Sequence, residues 1–106
     1  MSEISVLIAD DQPIVRRGVA LLLEEEAGIT VMGEAADGWE TFEAVQRLRP
    51  DVVLMDVDMP GSGLDATRRI TESVPDVSVL ILTVHDREDF LFQALQTGAL
   101  GYILKT

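Results

Sequence analysis

Residues 52–63 read VVLMDVDMPGSG. Four apolar residues run without interruption into Asp56, a valine, a second acid at Asp58, and then Pro60 and Gly61. A short apolar run bounded by turn residues has the pattern of a strand buried on both faces. Proline followed by glycine then turns the chain away from the sheet. A buried strand that delivers two acids at its end implies that the acids are wanted there, because a carboxylate at the edge of a core is costly unless something offsets its charge.

The same pattern recurs on either side. Ile4 to Ala9 (ISVLIA), Ile29 to Glu34 (ITVMGE), Val52 to Met55, Ser78 to Thr83 (SVLILT) and Gly101 to Leu104 (GYIL) are five strand candidates. Between them lie four amphipathic stretches, near residues 13–26, 38–48, 64–74 and 87–97. Val15, Val19, Leu22 and Leu23 supply the inward face of the first, and Phe42, Val45 and Leu48 that of the second. Asp37 before Gly38, and Asp86 before Arg87, have the character of helix starts, while Gly28 and Gly98 stand where a helix should stop. The plan is β(αβ)₄: an α/β domain with a doubly wound, five-stranded parallel sheet, for which the order 2-1-3-4-5 is expected.

Composition agrees with one domain. The chain has 106 residues, 47% of them apolar, with no internal repeat and no linker-like tract. It has no cysteine, which removes disulfides and thiolate metal sites, and its N-terminus matches neither a signal peptide nor a membrane span. A cytoplasmic protein without membrane contact is expected. A formal charge of −11 opposes binding to a phosphate backbone, so any DNA contact belongs to another domain.

In an open parallel sheet, ligands bind beyond the carboxyl ends of the strands. Strand one ends in Asp10 and Asp11, strand three in Asp56, strand four in Thr83 and strand five in Lys105. Singly, each is what a strand end or helix cap ordinarily needs. Together, with strands one and three adjacent, they form a constellation. Two carboxylates 4 Å apart repel by roughly 4 kcal/mol at an effective dielectric of 20, so three in one crevice call for a cation. Oxygen-only ligands favour Mg²⁺ or Mn²⁺ over zinc.

These motifs resemble the receiver domain of bacterial two-component response regulators along the whole chain. LIADDQPIVRRG is similar to the family's acidic pair entering helix one, RPDVVLMDVDMPG to its phospho-acceptor strand and loop, LTVHD to its strand-four Thr segment, and GALGYILK to its strand-five Lys segment. The wording is closest to the LuxR-like (nitrate-regulator) branch, in which a receiver precedes a helix-turn-helix DNA-binding domain. The resemblance implies a flavodoxin-like three-layer sandwich covering residues 1–106, with the output domain outside this chain. The family continues into a fifth helix where this chain stops after Lys105 and Thr106, so a sequence truncated before helix five is expected, with self-association over the uncovered flank as the alternative.

The resemblance also assigns roles. Asp56 would accept a phosphoryl group from a histidine kinase. Asp11 and Asp56 would bind Mg²⁺ directly, with the backbone carbonyl of Asp58 as a further ligand and Asp10 holding a coordinated water or contributing charge. Lys105 and the Thr83 hydroxyl would contact phosphoryl oxygens. Thr83 and Tyr102 would form a coupled switch that remodels the surface of helix four and strand five, the family's usual dimer face. On this reading the domain is not an enzyme beyond assisting its own phosphotransfer and dephosphorylation.

Two other readings compete. LMDVDMP is similar to the DxD signature of haloacid-dehalogenase-type phosphatases, with Asp56 as nucleophile and Asp58 as general acid, but there DxD comes early and the acidic pair late. A receiver-like scaffold that binds without phosphorylation is the second, although none of Asp10, Asp11, Asp56, Thr83 and Lys105 is missing. Departures from the family wording are a loop after Asp56 one residue short, Asp58 where Arg is frequent, Gln12 where His is frequent, and Val84 where a small residue is common. Val84 is expected to narrow access to Asp56. Trp39 suggests an exposed contact or packing on a neighbouring loop, His85 a solvated loop residue, and Glu24 to Glu26 a solvated helix end.

Overall fold

The computed structural model describes residues 3–105; Thr106, on which the reading of the chain's end partly rests, lies outside them. Five strands and four helices alternate: β1 (Ile4–Ala9), α1 (Pro13–Glu24), β2 (Ile29–Ala35), α2 (Gly38–Leu48), β3 (Val52–Asp56), α3 (Gly63–Ser73), β4 (Ser78–Thr83), α4 (Glu88–Gln96) and β5 (Gly101–Leu104). The strands form one sheet in the order β2-β1-β3-β4-β5, and every neighbouring pair is parallel. The expected flavodoxin-like topology is therefore the observed one.

The period of two along VVLM divides its side chains between two cores. Val53 and Met55 join Leu7, Ala9, Val79 and Ile81 of the sheet with Val45 of α2, Ile70 of α3 and Ala94 of α4. Leu54, with Val52 packed beside it, joins Val6, Ile8 and Leu82 with Ala20, Val19 and Leu23 of α1. The sheet is thus the middle of three layers, with α1 on one side and α2, α3 and α4 on the other. Full burial of each such side chain is worth about 1.5–3 kcal/mol. It also explains why the strands are apolar on both faces.

Helix ends follow local chemistry. Asp37 caps α2 by accepting from the Glu40 N–H at 2.7 Å, and the Glu40 carboxylate returns to accept from the Ala36 N–H at 2.8 Å. Gly98 ends the region after α4 with φ +98°, and its N–H reaches the Leu95 carbonyl at 3.0 Å. Three sequence expectations need correction. The α1 pattern stops at Glu24 rather than 26, because three successive carboxylates oppose the negative end of the helix dipole; Glu24 to Glu26 are exposed, as expected. Leu22 is 67% exposed instead of inward, and Ala20 is fully buried in its place. The inward arc of α1 is formed by Val19, Ala20 and Leu23, and Leu22, about 100° from Leu23 near its centre, falls outside it. Asp86 does not start α4: Arg87 holds the N-cap position without a side-chain cap.

The short loop after β3 is accommodated by consecutive positive φ values at Gly61 (+80°) and Ser62 (+54°). This reversal brings the chain into α3 at Gly63, with the Ser62 hydroxyl accepting from the Asp65 N–H at 3.2 Å. The Pro60 carbonyl also accepts from the Gly38 N–H at 2.8 Å, tying the loop to α2. Trp39 lies over the same loop: a Cβ on Gly61 would sit 3.0 Å from two of its ring carbons. The tryptophan is nevertheless 63% exposed, so both halves of the expectation for it apply.

Gly63 fixes the path of the β3 terminus, since a Cβ there would stand 2.7 Å from the Val57 Cα and collide with the Asp56 carbonyl oxygen. Neither neighbour is a flexible side-chain end. Gly63→Ala is expected to destabilise the domain by about 1–3 kcal/mol in urea denaturation, the usual cost of overpacking.

Candidate functional site

The sheet order places β1 beside β3, with Ala9 opposite Met55. The residues that follow, Asp10 and Asp11, therefore meet Asp56 at the carboxyl edge. One carboxylate oxygen from each of the three lies within 4.8 Å of the others. Asp10 is fully buried and Asp56 is 3% exposed, whereas Asp11 is exposed. Lys105 leaves the end of β5 and spans the crevice, its Nζ 3.1 Å from Asp10 Oδ2 and 3.2 Å from Asp56 Oδ1. Four of the sequence-predicted residues thus converge.

Asp10 is held at every polar atom. Its N–H donates to the Ala35 carbonyl at 3.0 Å, Oδ1 accepts from the Gln12 N–H at 2.9 Å, Oδ2 accepts from Lys105, and its carbonyl accepts from Arg16 Nη1 at 2.7 Å. Asp56 is held by one oxygen only. Its Oδ1 accepts from the Asp58 N–H at 3.2 Å and faces Lys105. Its Oδ2 has no hydrogen-bond partner among the described residues, and it is not a sealed-off atom, since no buried side-chain oxygen there lacks a partner. This leaves one oxygen of a fixed carboxylate with its lone pairs open to the crevice.

Burial pushes the Asp56 carboxyl above its ordinary pKa, and the charge of Asp10 adds to this, while the Asp58 N–H and Lys105 act in the opposite direction. Burial alone would lower Lys105, but its hydrogen bond to Asp10 and the charge of Asp56 outweigh it, and the ammonium is held above its ordinary value. The donor set is hard oxygen throughout, with an exposed member, Asp11, that makes no hydrogen bond or ion pair among the described residues. Such a cluster suits a divalent cation of the Mg²⁺ type.

Thr83 stands at the end of β4, fully buried, with its hydroxyl accepting from the His85 N–H at 2.9 Å. Tyr102 is 40% exposed on β5, the edge strand. Asp58 projects its carboxylate away from the acid cluster, onto His85 Nε2 at 3.1 Å. His85 is exposed in its loop, as expected, but it also joins the β3–α3 and β4–α4 loops at the rim, and its ring packs against Phe90 with centroids 4.6 Å apart. Neither this contact nor that of Arg16 was readable from the sequence, because both cross between separate loops or elements.

Fold and site together define the receiver class of α/β domain. The chain belongs to the response regulator receiver domain family, whose sequence pattern matches residues 6–106. It is similar to the oxygen regulatory protein NreC of Staphylococcus haemolyticus, at 46% identity over 102 residues, covering 94% of this chain and 47% of that protein. The chain therefore spans about half the length of such relatives. Among solved structures it is similar to the receiver domain of the putative response regulator NarL from Mycobacterium tuberculosis (35% identity, TM-score 0.95, 99% of this chain and 86% of that one). A LuxR-family two-component response regulator from Aurantimonas sp. SI85-9A1 is also similar (38% identity, TM-score 0.94, 99% and 76%). No helix among the described residues is long and apolar enough to cross a membrane.

The raised Asp56 pKa has a consequence for stability. A carboxyl that binds its proton more tightly when folded costs stability once ionised, in full above its folded pKa and not at all below its unfolded value of 3.8. Asp56→Asn is expected to raise the Tm in metal-free buffer at pH 7, with the gain closing as the pH falls toward 3.8. Thermal melts over a pH series check this, and an equal or lower Tm at pH 7 contradicts it.

Proposed function

We propose that this domain is a phosphorylation-dependent switch: Asp56 accepts a phosphoryl group from a sensor histidine kinase. The single observation that carries the reading is the asymmetry of Asp56, whose Oδ1 is fixed by the Asp58 N–H and Lys105 while Oδ2 is free of protein partners among the described residues. Oδ2 would attack phosphorus as the bond from phosphorus to the imidazole nitrogen of the donor breaks, and the imidazole departs. Lys105 would shift from carboxylate to phosphoryl oxygen, and Thr83 would donate its hydroxyl hydrogen to another, since its present bond to His85 uses the oxygen as acceptor. Asp11, Asp56 and the Asp58 carbonyl would hold Mg²⁺, or Mn²⁺, which supplies positive charge against the carboxylates and phosphoryl oxygens. Asp10, saturated by its protein donors, would contribute charge or hold a coordinated water.

Movement of Thr83 would be followed by inward rotation of Tyr102, changing the face formed by α4 and β5. Phe92 and Leu95 of α4 and Tyr102 and Leu104 of β5 are already exposed there, in keeping with a homodimer contact. Output would pass through a DNA-binding domain outside this chain to control transcription in the cytoplasm, a reading supported by similarity to LuxR-family response regulators. Against the phosphatase reading, the Asp58 carboxylate contacts His85 and the chain's family is that of receiver domains.

Incubation with Mg²⁺ and acetyl phosphate is expected to add one phosphoryl group by intact mass, lost completely in Asp56→Asn. No adduct with any donor, together with partner binding indifferent to Mg²⁺, would instead support a phosphorylation-independent scaffold. Val84 is 56% exposed at the rim. If it narrows access to Asp56, Val84→Ala loses the phosphoryl group faster than wild type in a dephosphorylation time course; an unchanged or slower rate removes that role.

A further inference from the structure

Asp11 is the acid of the cluster with least to hold it. It is exposed, and its carboxylate has no hydrogen bond or ion pair among the described residues. Its placement therefore depends on the backbone that presents it, above all on the peptide joining it to Asp10. The carbonyl of that peptide accepts from Arg16 Nη1 at 2.7 Å. Arg16 lies one turn into α1, and its side chain is only 20% exposed. The same guanidinium donates from Nε to Glu34 Oε1 at 2.9 Å, and Glu34 belongs to β2. One planar fork thus connects α1, the end of β2 and the Asp10–Asp11 peptide, geometry that a flexible ammonium does not reproduce.

Arg17 provides a contrast within the same few ångströms. It pairs with the other oxygen of Glu34, Oε2, at 3.1 Å, with its side chain 64% exposed. Arg17 has no contact with the Asp10 carbonyl among the described hydrogen bonds. If the arginines merely pinned α1 to β2, the two would act alike. Only Arg16 reaches the peptide that aims Asp11.

We infer that Arg16 is a positioning residue for the divalent-cation site, fixing the Asp10–Asp11 peptide so that the Asp11 carboxylate faces Asp56. The inference rests on the proposed metal site and adds a member that touches none of the metal-facing atoms. Partners that orient a metal ligand from behind typically change metal affinity 10–100-fold when removed. Arg16 would act in this way through a backbone carbonyl.

The test is Mn²⁺ binding followed by the EPR signal of free Mn²⁺, with metal-free thermal melts alongside, for wild type, Arg16→Ala, Arg16→Lys and Arg17→Ala. Arg16→Ala is expected to weaken Mn²⁺ roughly tenfold or more at a temperature where it remains folded. Arg16→Lys, which keeps the charge and loses the fork, should be intermediate, and it carries the test if the alanine variant does not fold. Arg17→Ala should bind as wild type does. Arg16 variants with wild-type affinity and a lowered Tm would show a purely structural role and overturn the inference, as would an equal loss in Arg17→Ala. Wild-type protein that takes up no Mn²⁺ would overturn the metal reading itself, and this inference with it.

Discussion

The crevice depends on Lys105 standing between Asp10 and Asp56. Three carboxylates within 4.8 Å of one another, two of them buried, could not share the end of a hydrophobic sheet without a compensating charge. The ammonium supplies it at 3.1 and 3.2 Å. The compensation is incomplete, since burial still holds the Asp56 carboxyl above its ordinary pKa. The site therefore favours further positive charge, and Asp11 and one oxygen of Asp56 have no hydrogen-bond partner there among the described residues.

The fold serves this arrangement by making the strand ends rigid and the loops short. The three central strands, β1, β3 and β4, are packed on both sides, so their termini are fixed by two layers rather than by their own loops. The loops then interlock: the β3–α3 loop is tied to α2 through Pro60 and Gly38 and to the β4–α4 loop through Asp58 and His85. The resting Thr83 hydroxyl is part of the same network, accepting from the His85 N–H. A charge placed on Asp56 would be felt by neighbours already mechanically joined to the α4 side of the molecule.

Most of the fold was legible because the middle of the sheet is buried on both faces. A largely apolar run is then the signature of most of the strands, and those at Ile4–Ala9, Ser78–Thr83 and Gly101–Leu104 were placed to the residue. The polar residues ending those runs stood out for the same reason. Helix ends were less legible: Asp86 has the chemistry of a cap, yet Arg87 occupies that position. Leu22 follows a plausible apolar spacing, yet the geometry of α1 gives the sheet-facing place to Ala20. Local composition proposes caps and faces, but packing of the whole helix selects among them.

The sequence by itself determined the order of strands and helices, the acids and lysine at the strand ends, and the oxygen-donor character of the site, because these follow from periodicity and residue chemistry along the chain. Only the tertiary structure decided that Asp58 turns to His85, that Thr83 accepts from a backbone N–H, and that Arg16 holds the peptide before Asp11. The first joins two loops far apart in sequence and the third joins α1 to the end of β1, while the second is local and its direction is set by the path of the loop after β4. The opening stretch shows the division in miniature: the apolar run and its two acids are written in VVLMDVD, but their unequal fates, one oxygen free at Asp56 and a carboxylate engaged at Asp58, arise from what the folded chain brings beside each.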